Sequence, residues 1–252
     1  MIAGAVRFAR YAYPPNSLGY CGPDDSSALF EYGSGAVMDG GLRALAQEFE
    51  GAWPYLELIA SGSGLDPLDL DVVEAYWIGN ALLDRVDISA FGSSMRDRFH
   101  GRAGTSWESL TDALDGGGKP SHGFHVFCVY PWVGLMRSGP VQQPLHVLDR
   151  CRIRSGEVLE IDGDVAQVRT RPLVLENDRL AVGPEGVEAV RWASGGQGLS
   201  PHIRPGDSVA LHWDWVCELL DRRSRLMLES ETSAVLRLAN RVLGRPRTGI
   251  FA

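Results

Sequence analysis

Hydrophobic and polar positions divide the chain into two differently patterned halves. In the first half apolar side chains recur at helical spacing. Leu42, Leu45, Ala46 and Phe49 share one face, and Val72, Ala75, Tyr76, Gly79, Leu82, Leu83 and Val86 form a longer stripe. Asp71 is placed to cap that second helix, and Glu74 completes a capping box. Pro54 opens a further helix in the apolar, aromatic stretch 51–59. Residues 8–23, rich in Tyr, Pro, Asn and Gly, read as an ordered surface loop.

The run Gly116-Gly117-Gly118-Lys119-Pro120-Ser121 breaks the pattern and reads as a linker. No G-K-[ST] helix start follows its glycines, so it is not a phosphate loop. Beyond it, residues 124–136 are apolar and β-rich. Alternation over 156–168 surrounds the turn Asp162-Gly163-Asp164, a hairpin signal. Short strands follow at 173–175, 187–192 and 208–213. A closing helix carries Met227, Ala234, Val235, Leu238 and Val242 on one face. These signals predict an α+β protein: a mainly helical domain over 1–118, then a small β-barrel or sandwich with a C-terminal helix over 119–252.

Composition narrows the function. Apolar residues make up 44% and charged residues 22% of the 252, ordinary for a globular, water-soluble chain. Neither a membrane span nor a signal peptide is visible, so a cytoplasmic location is expected. A net charge of −8 argues against general nucleic-acid binding. No G-x-S-x-G elbow, H-E-x-x-H pair or Rossmann fingerprint is present.

The chemistry-bearing residues are few. Cys21, Cys128, Cys151 and Cys217 form no C-x-x-C pair, and thiols in that compartment are expected to be reduced. Cys151 stands where the β-rich unit begins and His212 on one of its last strands. A sheet that closes on itself would bring them together as a soft metal site. Cys21 lies between glycines in a loop, where a thiol can be reactive. His122, His125 and Cys128 form H-x-x-H-x-x-C, but strand alternation would set the two histidines on opposite faces, which favours a packed core histidine. Trp132, Trp213 and Trp215 read as core or interface aromatics, and Cys128 as a small buried hydrophobe. The acidic cluster Glu50, Glu57, Asp66, Asp69, Asp71 and Glu74 is explained by capping and solvation.

Cys151 five residues before Gly156, the hairpin Glu160-Ile161-Asp162-Gly163-Asp164-Val165-Ala166-Gln167-Val168 and the element Gly206-Asp207-Ser208-Val209-Ala210-Leu211-His212 recur in one order. In that order they resemble the HypC/HupF family of hydrogenase-maturation chaperones. The resemblance implies an OB-like β-barrel with a trailing helix. It also implies a non-enzymatic maturation or scaffold protein whose cysteine holds or relays an iron fragment with cyanide and carbon monoxide ligands. The implied partners are a nickel-iron hydrogenase large subunit or a HypD-like maturation factor. Cys151 maps onto the family cysteine and His212 onto its histidine. Cys151 is internal, so it lacks the free α-amine of the family's N-terminal cysteine. Ser155 replaces the family proline, and Trp213-Asp214-Trp215 replaces small residues. The N-terminal part, through residues 8–24 and 49–55, resembles an uncharacterised actinobacterial domain of unknown function. The alternative reading is a thiol- or metal-dependent enzyme with a site between the two domains, built on Cys21 and His125.

Overall fold

The computed structural model describes residues 3–35, 40–100, 107–137 and 139–244. Its N-terminal part is helical: α1 (Gly4–Ser17), α2 (Ser26–Gly35), α3 (Gly41–Gln47), α4 (Trp53–Ser63), α5 (Leu70–Trp77), a 3-10 turn at Ala81–Arg85, α6 (Ile88–Phe99) and α7 (Trp107–Asp115).

Helix α1 overturns the loop expected over 8–23. Val6, Phe8, Ala9, Tyr11 and Ala12 are buried, and that burial outweighs Pro14 and Pro15, which fall in the last turn. There they remove only the hydrogen bonds to the carbonyls of Arg10 and Tyr11. The cap of α5 is Asp69, not Asp71: its side chain accepts from the Asp71 amide. The stripe expected to run as one helix to Val86 is cut at Gly79, whose φ of +97° only glycine adopts readily. Asn80 then opens the 3-10 turn by accepting from the Leu82 amide.

Residues 124–136 are helical rather than β. The chain runs through α8 (His122–Phe124), a π turn at His125–Val129 closed by the Tyr130 amide on the His125 carbonyl, and α9 (Trp132–Met136). Ser121 caps α8 by accepting from the Phe124 amide. Phe124, Val126, Phe127 and Val129 are all buried, and a segment apolar on every side carries no period that separates strand from helix. The glycine run before it is tightly packed. A Cβ at Gly118 would strike the Phe124 ring, and one at Gly116 would strike Arg241 and Leu238.

Helix α10 (Gln142–Cys151) leads into the sheet: β1 (Arg154–Asp162), β2 (Val165–Thr170), β3 (Leu173–Glu176), β4 (Arg179–Val182), β5 (Gly186–Arg191), β6 (Ala193–Ser194), β7 (Gln197–Gly198), β8 (Ser208–His212) and β9 (Trp215–Leu219). The expected hairpin forms, with Asp162 opposite Val165 and Gly163 at φ +56° in the turn. The main sheet runs β1-β2-β5-β9-β8, and β8 returns to pair with β1, so the sheet closes on itself. The pair β5·β9 is parallel and its neighbours are antiparallel. β3-β4 and β6-β7 are separate small hairpins. Val158, Ala166, Val168, Val190, Val209, Leu211 and Val216 pack within the closed sheet. Helix α11 (Arg222–Leu243), capped by Asp221, follows. The expected boundary at 118/119 falls in a loop, yet the large helical core also takes in Ile153, Ala210, Cys217 and Leu220 from the sheet region.

Candidate metal centre

Three elements end at one point. His122 is the first residue of α8, Cys151 the last of α10 and His212 the last of β8. All three are buried, and a ring nitrogen of each histidine and the Cys151 sulfur lie within 4.8 Å of one another. His122 Nε2 is 2.7 Å from the Cys151 carbonyl oxygen, and His212 Nδ1 is 2.6 Å from that of Tyr11. A carbonyl only accepts, so each of these nitrogens carries the proton. The lone pairs therefore sit on His122 Nδ1 and His212 Nε2. The latter is buried without a hydrogen-bond partner.

The local sequence explains how these side chains are held. In α1 the carbonyl of Tyr11 would ordinarily bond the amide of residue 15, and Pro15 has none. That vacancy is what His212 fills. Arg154, 1% exposed, clamps the other side. Its guanidinium donates to the Asp149 and Arg150 carbonyls at the end of α10, to the Trp213 carbonyl beyond β8 and to Glu188. The Trp213 amide in turn donates to the Arg150 carbonyl at 2.8 Å. Trp213 adopts φ +51°, a conformation rare outside glycine and strained for a bulky residue. The Trp77 ring packs 4.6 Å from His122 and 5.7 Å from His212.

The cluster faces a cavity of about 160 Å³. Its wall includes Ala12, Pro15, Tyr76 and Trp77 from the helical part and, among the described residues, no Asp, Glu, Lys or Arg. On its rim Tyr20, 52% exposed, stacks on Trp213 with 4.4 Å between ring centres. Burial governs the ionisation of the lining groups. It pushes the Cys151 thiol up, holds His122 at about 4 and keeps His212 well below the usual histidine range. A buried, neutral His2Cys set is the donor chemistry that a borderline or soft transition metal takes. Histidines whose second nitrogen is bonded to a backbone carbonyl are the usual form of such ligands.

The closed sheet thus brings Cys151 and His212 together. Cys21 and His125 line the same cavity but form no hydrogen bond with each other. His125 Nδ1 pairs with the Tyr55 hydroxyl at 3.0 Å and its Nε2 has no partner. Burial lowers His125 to about 3 and raises Cys21 to about 12. Cys128 packs among apolar side chains. His122 is the residue that sequence reasoning did not place at the site. The strand assumption set His122 and His125 on opposite faces, whereas in a helix residues three apart share one, and both line the cavity. The signal was Ser121, an N-cap directly before the motif.

No helix among the described residues is long and apolar enough to cross a membrane. No curated protein matches the chain, and no solved structure does. The model of DUF6390, a family of unknown function, matches residues 1–246, almost the whole length, and the chain belongs to that family.

Proposed function

We propose that this protein is a HypC-like maturation or scaffold protein for nickel-iron hydrogenase, and that it holds or relays an iron fragment through Cys151 with His212 as second donor. The observation that carries this reading is the convergence of Cys151 and His212, expected from the family resemblance, on the wall of one apolar cavity. The order of the closed sheet, with its single parallel pair, supports an OB-like barrel, and α11 corresponds to the trailing helix.

The iron fragment is cargo here. A thiolate is a strong donor to low-valent iron, and small cyanide and carbon monoxide ligands suit a water-poor, apolar chamber. Cys151 is buried and lacks a free α-amine, and in this reading it would take the place of the N-terminal cysteine of the HypC/HupF family. Walls contributed by α1 and α5 would shield such cargo from oxygen and water, a role for the helical part. Full-length protein produced with the maturation factors and purified anaerobically should contain iron and show cyanide and carbon monoxide stretches in the infrared. Those bands should vanish in Cys151→Ala. Iron-free protein without the bands would overturn the reading.

A thiol enzyme built on Cys21 and His125 is less well supported. A nucleophilic cysteine needs a base or a positive charge beside it, and Cys21 has only apolar burial as the cause of its raised thiol.

A further inference from the structure

We infer that His122, the first residue of α8, is a third protein ligand, so that His122 Nδ1, Cys151 Sγ and His212 Nε2 form a His2Cys centre for one divalent transition metal whose fourth position opens onto the cavity. The inference goes beyond the cargo reading, since it requires neither iron nor a partner protein.

The geometry carries it. In a tetrahedral site with metal–nitrogen bonds of about 2.1 Å and a metal–sulfur bond of about 2.3 Å, donors stand roughly 3.4–3.7 Å apart. Here a ring nitrogen of each histidine and the Cys151 sulfur lie within 4.8 Å of one another before any metal draws them in. Both imidazoles already have the ligating tautomer, fixed by the Cys151 and Tyr11 carbonyls. His212 Nε2 is buried with no hydrogen-bond partner among the described residues. The two rings stand edge to face with centres 5.1 Å apart, so their lone pairs need not collide.

Charge defines the fourth ligand. Binding releases the Cys151 thiol proton to solvent, and the histidines enter neutral, so a divalent ion gives a centre of net charge +1. Among the described residues no carboxylate lines the cavity to balance it. A buried, unpaired charge is costly, so the open position is expected to take a small monovalent anion, neutralising the centre without a protein group.

Cobalt(II) tests this with the full chain and no partners. One equivalent should bind, giving thiolate-to-cobalt charge transfer and the intense visible bands of four-coordinate cobalt, and azide should shift those bands. His122→Gln, whose amide can still donate to the Cys151 carbonyl, should weaken cobalt binding more than about tenfold with unchanged metal-free circular dichroism. X-ray absorption of the wild-type zinc form should count two imidazoles and one sulfur, a readout that stands even if the variant fails to fold. Full affinity and an unchanged spectrum in His122→Gln, a single imidazole by X-ray absorption, or no cobalt binding by the wild type would overturn the inference. A cobalt site in a protein that never carries cyanide and carbon monoxide would sink the cargo reading alone. Cyanide and carbon monoxide bands in a wild type that binds no cobalt would sink this inference alone.

Discussion

His122 Nε2 lies 2.7 Å from the carbonyl oxygen of Cys151, so the residue that offers the sulfur also orients a histidine facing it. The other histidine is oriented by a carbonyl that Pro15 leaves free in α1. Each histidine is thereby tied to an element distant in sequence, and the site exists only in the complete fold.

Replacing Pro15 with Ala supplies an amide that competes with His212 Nδ1 for the Tyr11 carbonyl. We expect zinc or cobalt affinity to fall about 10- to 100-fold, the usual cost of losing a ligand's outer hydrogen bond. Helicity should be maintained or slightly raised. A competition titration with a chromophoric chelator reads the affinity. Wild-type affinity in the variant would remove Tyr11 from the account.

Arg154 holds the end of α10 and the turn after β8 together from a buried position. Arg154→Met leaves Glu188 with Arg150 alone and removes a donor from the Asp149 and Trp213 carbonyls, while the Arg150 carbonyl keeps the Trp213 amide. Breaking a buried ion pair from one side costs about 3–5 kcal/mol. Urea denaturation should show a loss of that order, with metal affinity reduced as well, because Cys151 and His212 lose their common anchor. A loss below about 1 kcal/mol would show that the clamp contributes little.

Burial lowers His122 to about 4, His125 to about 3 and His212 well below the usual value near 6.5. The unfolded chain therefore binds more protons than the folded one once the pH drops below about 6.5. The stability these histidines contribute is complete above that pH and is lost as the pH falls toward 4. Urea midpoints of metal-free protein should decline steeply from pH 7 to pH 4.5, with a linkage approaching about three protons. His122→Gln should reduce that slope by about one proton. A flat profile would mean that these histidines are not buried in solution.

Asp69 caps α5, so Asp69→Ala should cost about 1 kcal/mol in a urea melt, and Asp71→Ala only a few tenths. The reverse ranking would restore Asp71 as the cap.

Signals confined to a few residues were legible in the sequence. Asp162-Gly163 set the hairpin, the strand expected over 208–213 formed over Ser208–His212, and the helix beginning at Pro54 formed with that proline in its first turn. Signals that depend on burial were not. Pro14-Pro15 argued for a loop because nothing local reveals that Val6, Phe8 and Tyr11 are buried on different sides of one helix. The 124–136 segment is apolar all round, so its period was silent, and with it the shared face of His122 and His125. Two of the three candidate donors were legible because Cys151 and His212 stand at the two ends of the β-rich unit, a pairing that the family resemblance shares. The third belongs to a different element, and only packing brings it to them.

The most direct test of the central claim is the infrared spectrum and iron content of the full chain, isolated anaerobically after production with the maturation factors, beside Cys151→Ala prepared in the same way. Iron accompanied by cyanide and carbon monoxide bands in the wild type, and lost from Cys151→Ala, is the predicted result. Iron-free wild-type protein without those bands, or bands that persist in Cys151→Ala, would contradict it.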